Sequence, residues 1–264
     1  MMTKVLLQFA TLVVVFFGTW LVLSQIHFVA KFDLENIGEE NEKKLAEVIF
    51  ESIKGDNDEI ENDSIITVVN NIKEKICVAN ALDEQRISIH ILRSKQINAM
   101  TLPNKKMIIF SALIEYCNTP EELASVMAHE FAHMEHKHVT KKIIKDIGLP
   151  MLITMAGGEA SGRIMREIIN IISSTAFDRQ QETAADETAV HYLANAHIDP
   201  KHFAHFLLRL EEEKKEKSKL SDWISTHPNS SDRAAAIMQL KKKENVQAVP
   251  IMEQHQWEQL KKIK

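Results

Sequence analysis

Glycine and proline are scarce in this chain of 264 residues, at seven and six. Few tight turns can be built from so little of either, and a mainly helical fold is favoured. Cysteine is nearly absent. Cys77 and Cys117 stand alone, with no CxxC pair, so a cysteine zinc site has no support and a disulfide-dense scaffold is excluded. They either pair with each other outside the cytosol or remain two buried thiols. No long basic block occurs and the net charge is −5, which argues against nucleic acid as a partner, because tracking a phosphate backbone takes clustered Lys and Arg. Internal repeats and low-complexity linkers are missing too. What is present is 45% hydrophobic and 26% charged residues, the balance of a folded globular protein of one or two domains.

The N-terminus departs from that average. Val5 to Leu23 is apolar apart from Gln8, Thr11, Gly18 and Thr19. A helix spanning a bilayer needs about 20 such residues, whereas a cleaved signal has an apolar core of about 7–15. The stretch therefore reads as an uncleaved anchor. The alternative is secretion after cleavage near Phe28-Val29-Ala30, where a bulky residue stands in place of a small one. Lys4 precedes the run, and Lys31, Asp33, Glu35, Glu39 and Glu40 follow it. The positive-inside rule then places the large domain on the extracytoplasmic side.

After a connector at Lys31 to Gly38, helices are expected over Glu39 to Ile53 and Ile60 to Ala81. Ile87, Ile89 and Ile91 alternate as a strand does. Asn98 to Leu102 and Met107 to Phe110 are two further strands about the turn Pro103-Asn104-Lys105-Lys106. Thr119, Pro120 and Glu122 form a strong helix start, cap, first position and capping box, for a helix running to about His138. Ile143 to Ala156 and Ile164 to Phe177 are apolar-rich helices broken by charges, with Gly157-Gly158 as the loop between them. They bury one face on the core or lean on a membrane surface. Further helices follow over Asp178 to Ala194, from Asp199-Pro200 to about Lys217, from Ser230 or Ser231 through Leu240, and around Trp257.

The chemistry lies in His129-Glu130-Phe131-Ala132-His133. Residues four apart share a helix face, so His129 and His133 can offer two imidazoles to one zinc ion per chain. Glu130, offset by one residue, stands where a general base would take a proton from the attacking water. Two surface histidines on an ordinary helix are the bland alternative, and the apolar Ala128, Phe131 and Ala132 count against it. His136 and His138 read as solvated residues beyond the buried stretch. The third ligand of the metzincin pattern fails, because His136 and Val139 replace its Gly and His. Glu182, four residues before Asp186 on a later helix, supplies a gluzincin ligand, and Asp186 accepts a hydrogen bond from a ligand histidine. Asp178 and Glu187 are weaker candidates.

In this order the residues resemble the membrane-associated gluzincin metallopeptidases, the group of HtpX, BepA and the CAAX prenyl proteases. Asn98-Ala99 with Pro103 and Met107 to Phe110 resembles the family's edge strand, His129 to His133 its metal motif, Glu182 with Ala185-Asp186 its ligand helix, and Thr226-His227-Pro228 with Arg233 its late motif. The resemblance covers about Ile87 to Leu240. It implies that His227 stabilises the oxyanion and that Arg233 orients the site or pairs with an acidic residue. The substrate, an unfolded or misfolded polypeptide, is expected to add as a strand along Asn98, Ala99 and Met100. The expected fold is α+β, mostly α: a zincin-like helical peptidase domain at 31–264 with a small three-stranded sheet, after a transmembrane anchor at 1–30. The expected function is zinc-dependent endoproteolysis in envelope protein quality control. The HtpX-like relatives carry several spans and the BepA-like ones a C-terminal repeat domain, neither of which is visible here.

Overall fold

The computed structural model describes residues 2–25, 38–55, 57–148, 162–174, 176–216, 222–244 and 246–261. The Lys31 to Gly38 connector up to residue 37, the candidate cleavage site, the end of the Ile143 to Ala156 run and the Gly157-Gly158 loop lie outside them. The chain divides into two compact units, Met1–Gly38 and Glu39–Lys264. The first contains helix α1 (Met2–Gln25). Its described side chains, Lys4, Gln8 and those of residues 11–20, are exposed, among them Leu12, Val14, Phe16, Phe17 and Trp20. Among the described residues no helix is long and apolar enough to cross a membrane.

The second unit begins with α2 (Glu39–Lys54) and α3 (Asp63–Ala79). Asn62 starts α3, its side chain accepting from the Ser64 and Ile65 amides, donors that the first turn of a helix leaves unpaired. Three strands follow, β1 (Ser88–Leu92), β2 (Ala99–Leu102) and β3 (Lys106–Phe110), in the order β1-β3-β2. β3 is parallel to β1 and antiparallel to β2. Asn104 and Lys105, both at positive φ, turn the β2–β3 hairpin, as the right-handed strand twist requires. The central strand β3 is buried at every residue, and its unbroken Met-Ile-Ile-Phe run has that cause. Met107 and Ile109 join one core with Ile72, Ile76, Val126 and Phe131. On the other face Lys106 Nζ lies 4.3 Å over the Phe50 ring of α2, so α2 covers it.

A short helix α4 (Ser111–Tyr116), not expected from the sequence, leads to α5 (Pro120–Glu135). Thr119 Oγ1 accepts from the Glu122 amide at 3.2 Å, and Pro120 occupies a position whose missing N–H costs nothing. The Glu122 carboxylate turns back to the Asn118 amide at 2.7 Å and receives Arg209 through two contacts of 2.7 Å. Every residue from Pro120 to Met134 except Glu121 is buried, which makes α5 the centre of the domain. It stops earlier than expected. Lys137 takes φ 53° and ψ 35°, and a new helix α6 (His138–Ile147) starts after it. A left-handed residue cannot continue a right-handed helix. The remaining helices are α7 (Gly162–Ser174), α8 (Arg179–Asn195), α9 (Lys201–Glu216), the unexpected α10 (Asp222–Thr226), α11 (Ser230–Lys241) and α12 (Gln254–Leu260).

Candidate metal centre

Three separate parts of the chain converge. α5 supplies His129, Glu130 and His133. α8, held at its start by the reciprocal Asp178 and Gln181 cap, supplies Glu182 and Asp186. Ala185 and Ala189, both fully buried, keep the face of α8 beside these acids small, so that its backbone can approach its neighbours closely. His227 follows α10, and Arg233 sits on α11.

His129 Nε2 and His133 Nε2 are 3.0 Å apart. Glu182 Oε1 lies 3.4 Å from His133 Nε2 and 3.0 Å from His227 Nδ1, and His227 Nδ1 lies 3.2 Å from His129 Nε2. One atom from each of the four falls within 4.8 Å of all the others. None of the four is more than 2% exposed. Glu130 is also 1% exposed; its Oε1 has no hydrogen-bond partner among the described residues and lies 3.4 Å from His227 Nε2. Behind this set Asp186 Oδ1 is 3.1 Å from His129 Nδ1. Arg233 donates to both Asp186 oxygens at 2.8 Å and reaches Glu182 Oε2 at 2.5 Å.

The charges show what the cluster is built for. Burial pushes His129, His133 and His227 down to about 4, so all three imidazoles are neutral with a free lone pair at neutral pH. That is the state a metal ligand requires. Burial raises Asp186 and Glu182, but Arg233 with His129 offsets it at the first, and His227 ahead of Arg233 offsets it at the second, so both stay ionised. Glu130, buried and beside Glu182, is pushed well above the usual carboxylate range. Three buried carboxylates thus face one guanidinium and neutral rings. Two imidazoles and a carboxylate, with an orphaned acid oxygen beside them, fit a divalent cation of borderline softness.

The structure brings His129, His133, Glu182 and His227 together, with Glu130, Asp186 and Arg233 against them. Asp178 and Glu187 are exposed, Asp178 as the cap of α8 and Glu187 on a cavity wall that it shares with Glu182, Asp186 and Arg233. Asn98, Ala99 and Met100 are buried at the start of β2, the sheet edge beside α5, and the Thr101 backbone hydrogen-bonds Glu130. A cavity of about 130 Å³ lined by Thr101, Leu102, Glu42 and His133 adjoins the site. A larger one of about 1040 Å³, lined by Glu59, Arg93 and Lys261, contains none of these groups. The expectation that His136 and His138 are solvated is corrected: His136 is half-buried and His138 is 5% exposed, because the break at Lys137 turns the chain back on itself. Phe177, whose ring lies 4.2 Å from that of His133, was not singled out in the sequence. Its apolar neighbours Ile171 and Ile172 gave no signal that distinguishes it. Cys77 and Cys117 are buried free thiols.

The model of peptidase family M48 matches residues 62–241, more than half of the chain. The mitochondrial metalloendopeptidase OMA1 of Schizosaccharomyces pombe is 26% identical over 171 residues, covering 64% of this chain and 51% of that protein. The β-barrel assembly-enhancing protease of Yersinia pestis is 29% identical over 188 residues, covering 65% and 38%. The OMA1 metalloendopeptidase of Bos taurus is 26% identical over 254 residues, covering 88% and 48%. The chain spans about half or less of the length of these relatives. With the metal motif, the ligand helix and the late histidine inside the matched range, the chain belongs to peptidase family M48.

Proposed function

We propose that the protein is a zinc-dependent endopeptidase, with His129, His133 and Glu182 as ligands, Glu130 as general base and residues 31–264 as the peptidase domain. The observation that carries this reading is the buried convergence of those three donors with Glu130 beside them. When bound, zinc supplies a Lewis acid that polarises the scissile carbonyl and brings the pKa of water to about 7. Glu130 takes the proton of the attacking water and returns it to the leaving amine. Its raised proton affinity suits the second half of that task, and the Thr101 backbone fixes its aim. His227 presents Nε2 to the same space and can donate to the oxyanion, a contact worth roughly 10²–10³ in rate. Asp186 orients His129, and Arg233 holds both acids of α8.

The substrate adds along β2 at Asn98, Ala99 and Met100. An extended, unfolded or misfolded polypeptide meets that requirement with less ordering than a folded one. Residues 1–30 act as a membrane anchor with the peptidase domain outside the cytoplasm, supported by the exposed Leu12, Val14, Phe16 and Phe17 of α1. One relative is named for β-barrel assembly, and envelope protein quality control fits both features. Casein digestion tests the reaction: wild type cleaves, while chelator and Glu130→Gln each abolish cleavage, and full activity of the variant would refute the mechanism.

A second reading of His227 rests on its Nδ1, which lies 3.0 Å from Glu182 Oε1. There it would serve as a fourth ligand beside His129, His133 and Glu182. His227→Ala separates the two: a rate loss at unchanged zinc affinity supports the oxyanion role, and a fall in zinc affinity supports ligation.

A further inference from the structure

The two ligand imidazoles on α5 meet different partners behind the metal side. His129 turns Nδ1 to a carboxylate, Asp186. His133 turns Nδ1 to another imidazole: His138 Nδ1 lies 2.9 Å away, and both rings are buried. On an unbroken helix, positions five apart point about 140° away from each other, and this contact could not form. The left-handed Lys137 makes it possible by ending α5 and starting α6 at His138. The His138 ring is held in turn. His136 stacks on it at 5.1 Å and 20°, and His136 Nε2 lies 2.9 Å from Thr188 Oγ1 on α8, the helix that also carries Glu182.

Two imidazole nitrogens at this distance share one proton, so one must donate and the other accept. His133 Nε2 faces His129 Nε2 and Glu182 Oε1 and has to keep its lone pair free if it is to bind a metal. Its proton then sits on Nδ1.

We propose that His138 is a positioning residue for the metal centre: its Nδ1 accepts the His133 Nδ1–H and so fixes the tautomer and the aim of that ligand ring. The inference rests on His133 being a metal ligand. His138 itself must carry its proton on Nε2. The sequence spacing His133 to His138 thereby gains a function that a continuous helix would not give it. Of the two ligand rings, His129 has an anionic partner and His133 a neutral one, so the two would donate to a bound ion with unequal strength.

The test uses the full-length chain in detergent, with zinc affinity read by competition with a chromophoric chelator and ligand geometry by the visible absorption of the cobalt-substituted protein. His138→Phe keeps the ring and its stacking on His136 but removes the acceptor. Removing an outer partner of a ligand typically lowers metal affinity 10–100-fold. That loss is expected here, with a changed cobalt spectrum and an unchanged melting temperature of the metal-free form. His138→Asn, whose amide oxygen falls near the place of Nδ1, recovers affinity. His138→Gln, whose oxygen falls near Nε2, does not, and the Asn and Gln pair carries the test if His138→Phe fails to fold. Wild-type affinity and spectrum in His138→Phe, or equal losses in Asn and Gln, would overturn the inference. Failure of the wild-type chain to take up zinc or cobalt would instead overturn the metal reading beneath it.

Discussion

Replacing Arg233 by Met exposes the electrostatic design of the site most directly. The guanidinium is 7% exposed and makes two contacts of 2.8 Å to Asp186 and one of 2.5 Å to Glu182. Removing one partner of a buried ion pair costs about 3–5 kcal/mol, because the remaining charge stays desolvated. At about 2–4 °C per kcal/mol for a domain of this size, the metal-free protein is expected to melt about 6–20 °C lower at pH 8. The pH dependence follows from the same charges. In the wild type Asp186 is held below its ordinary value by Arg233, against the effect of burial, so its contribution is present above the unfolded pKa and is lost as the solution becomes acidic through the folded one. In the variant that offset is gone and burial raises Asp186 above its unfolded value. Its penalty is then greatest at high pH and relieved on protonation, so the gap between variant and wild type narrows from pH 8 to pH 5. Thermal unfolding by circular dichroism in excess chelator measures it. A shift below about 0.5 kcal/mol at pH 8, the size of an ordinary surface change, would show that the acids are not ionised in the fold and refute the reasoning.

Thr119→Ala removes the cap on the Glu122 amide and is expected to cost about 1 kcal/mol by denaturant melt, with metal content unchanged. Trp257 is fully buried and donates its indole N–H to the Cys117 carbonyl at 3.0 Å, so Trp257→Ala is expected to cost about 3–5 kcal/mol in the same assay. Burial raises Cys77 to about 11 and lifts Cys117 well above the ordinary thiol value. Thiolate is therefore scarce at pH 8, and an aromatic disulfide reagent is expected to label both thiols slowly in the native protein and promptly in guanidinium.

Where local chemistry decides, the sequence was readable. The alternating isoleucines place β1, and Thr119, Pro120 and Glu122 place the start of α5. Glu182 and Asp186 share a face of α8 because four residues separate them. His227 was legible only through family resemblance, since a histidine before proline carries no periodic signal and its approach to Glu182 depends on how α10 and α11 pack. His138 was misread for a different reason. Lysine has no preference for a left-handed backbone, so nothing at position 137 announced that the helix would stop there. α4 and α10 were missed because helices of five or six residues are set by tertiary contacts more than by their own propensity.

The hydrogen bond from Thr140 Oγ1 to Glu42 Oε1, at 3.3 Å, joins α6 to α2 across the cavity beside His133. Loosening of that seam would open the His133 wall of the site to solvent while leaving the Asp186 and Arg233 side in place.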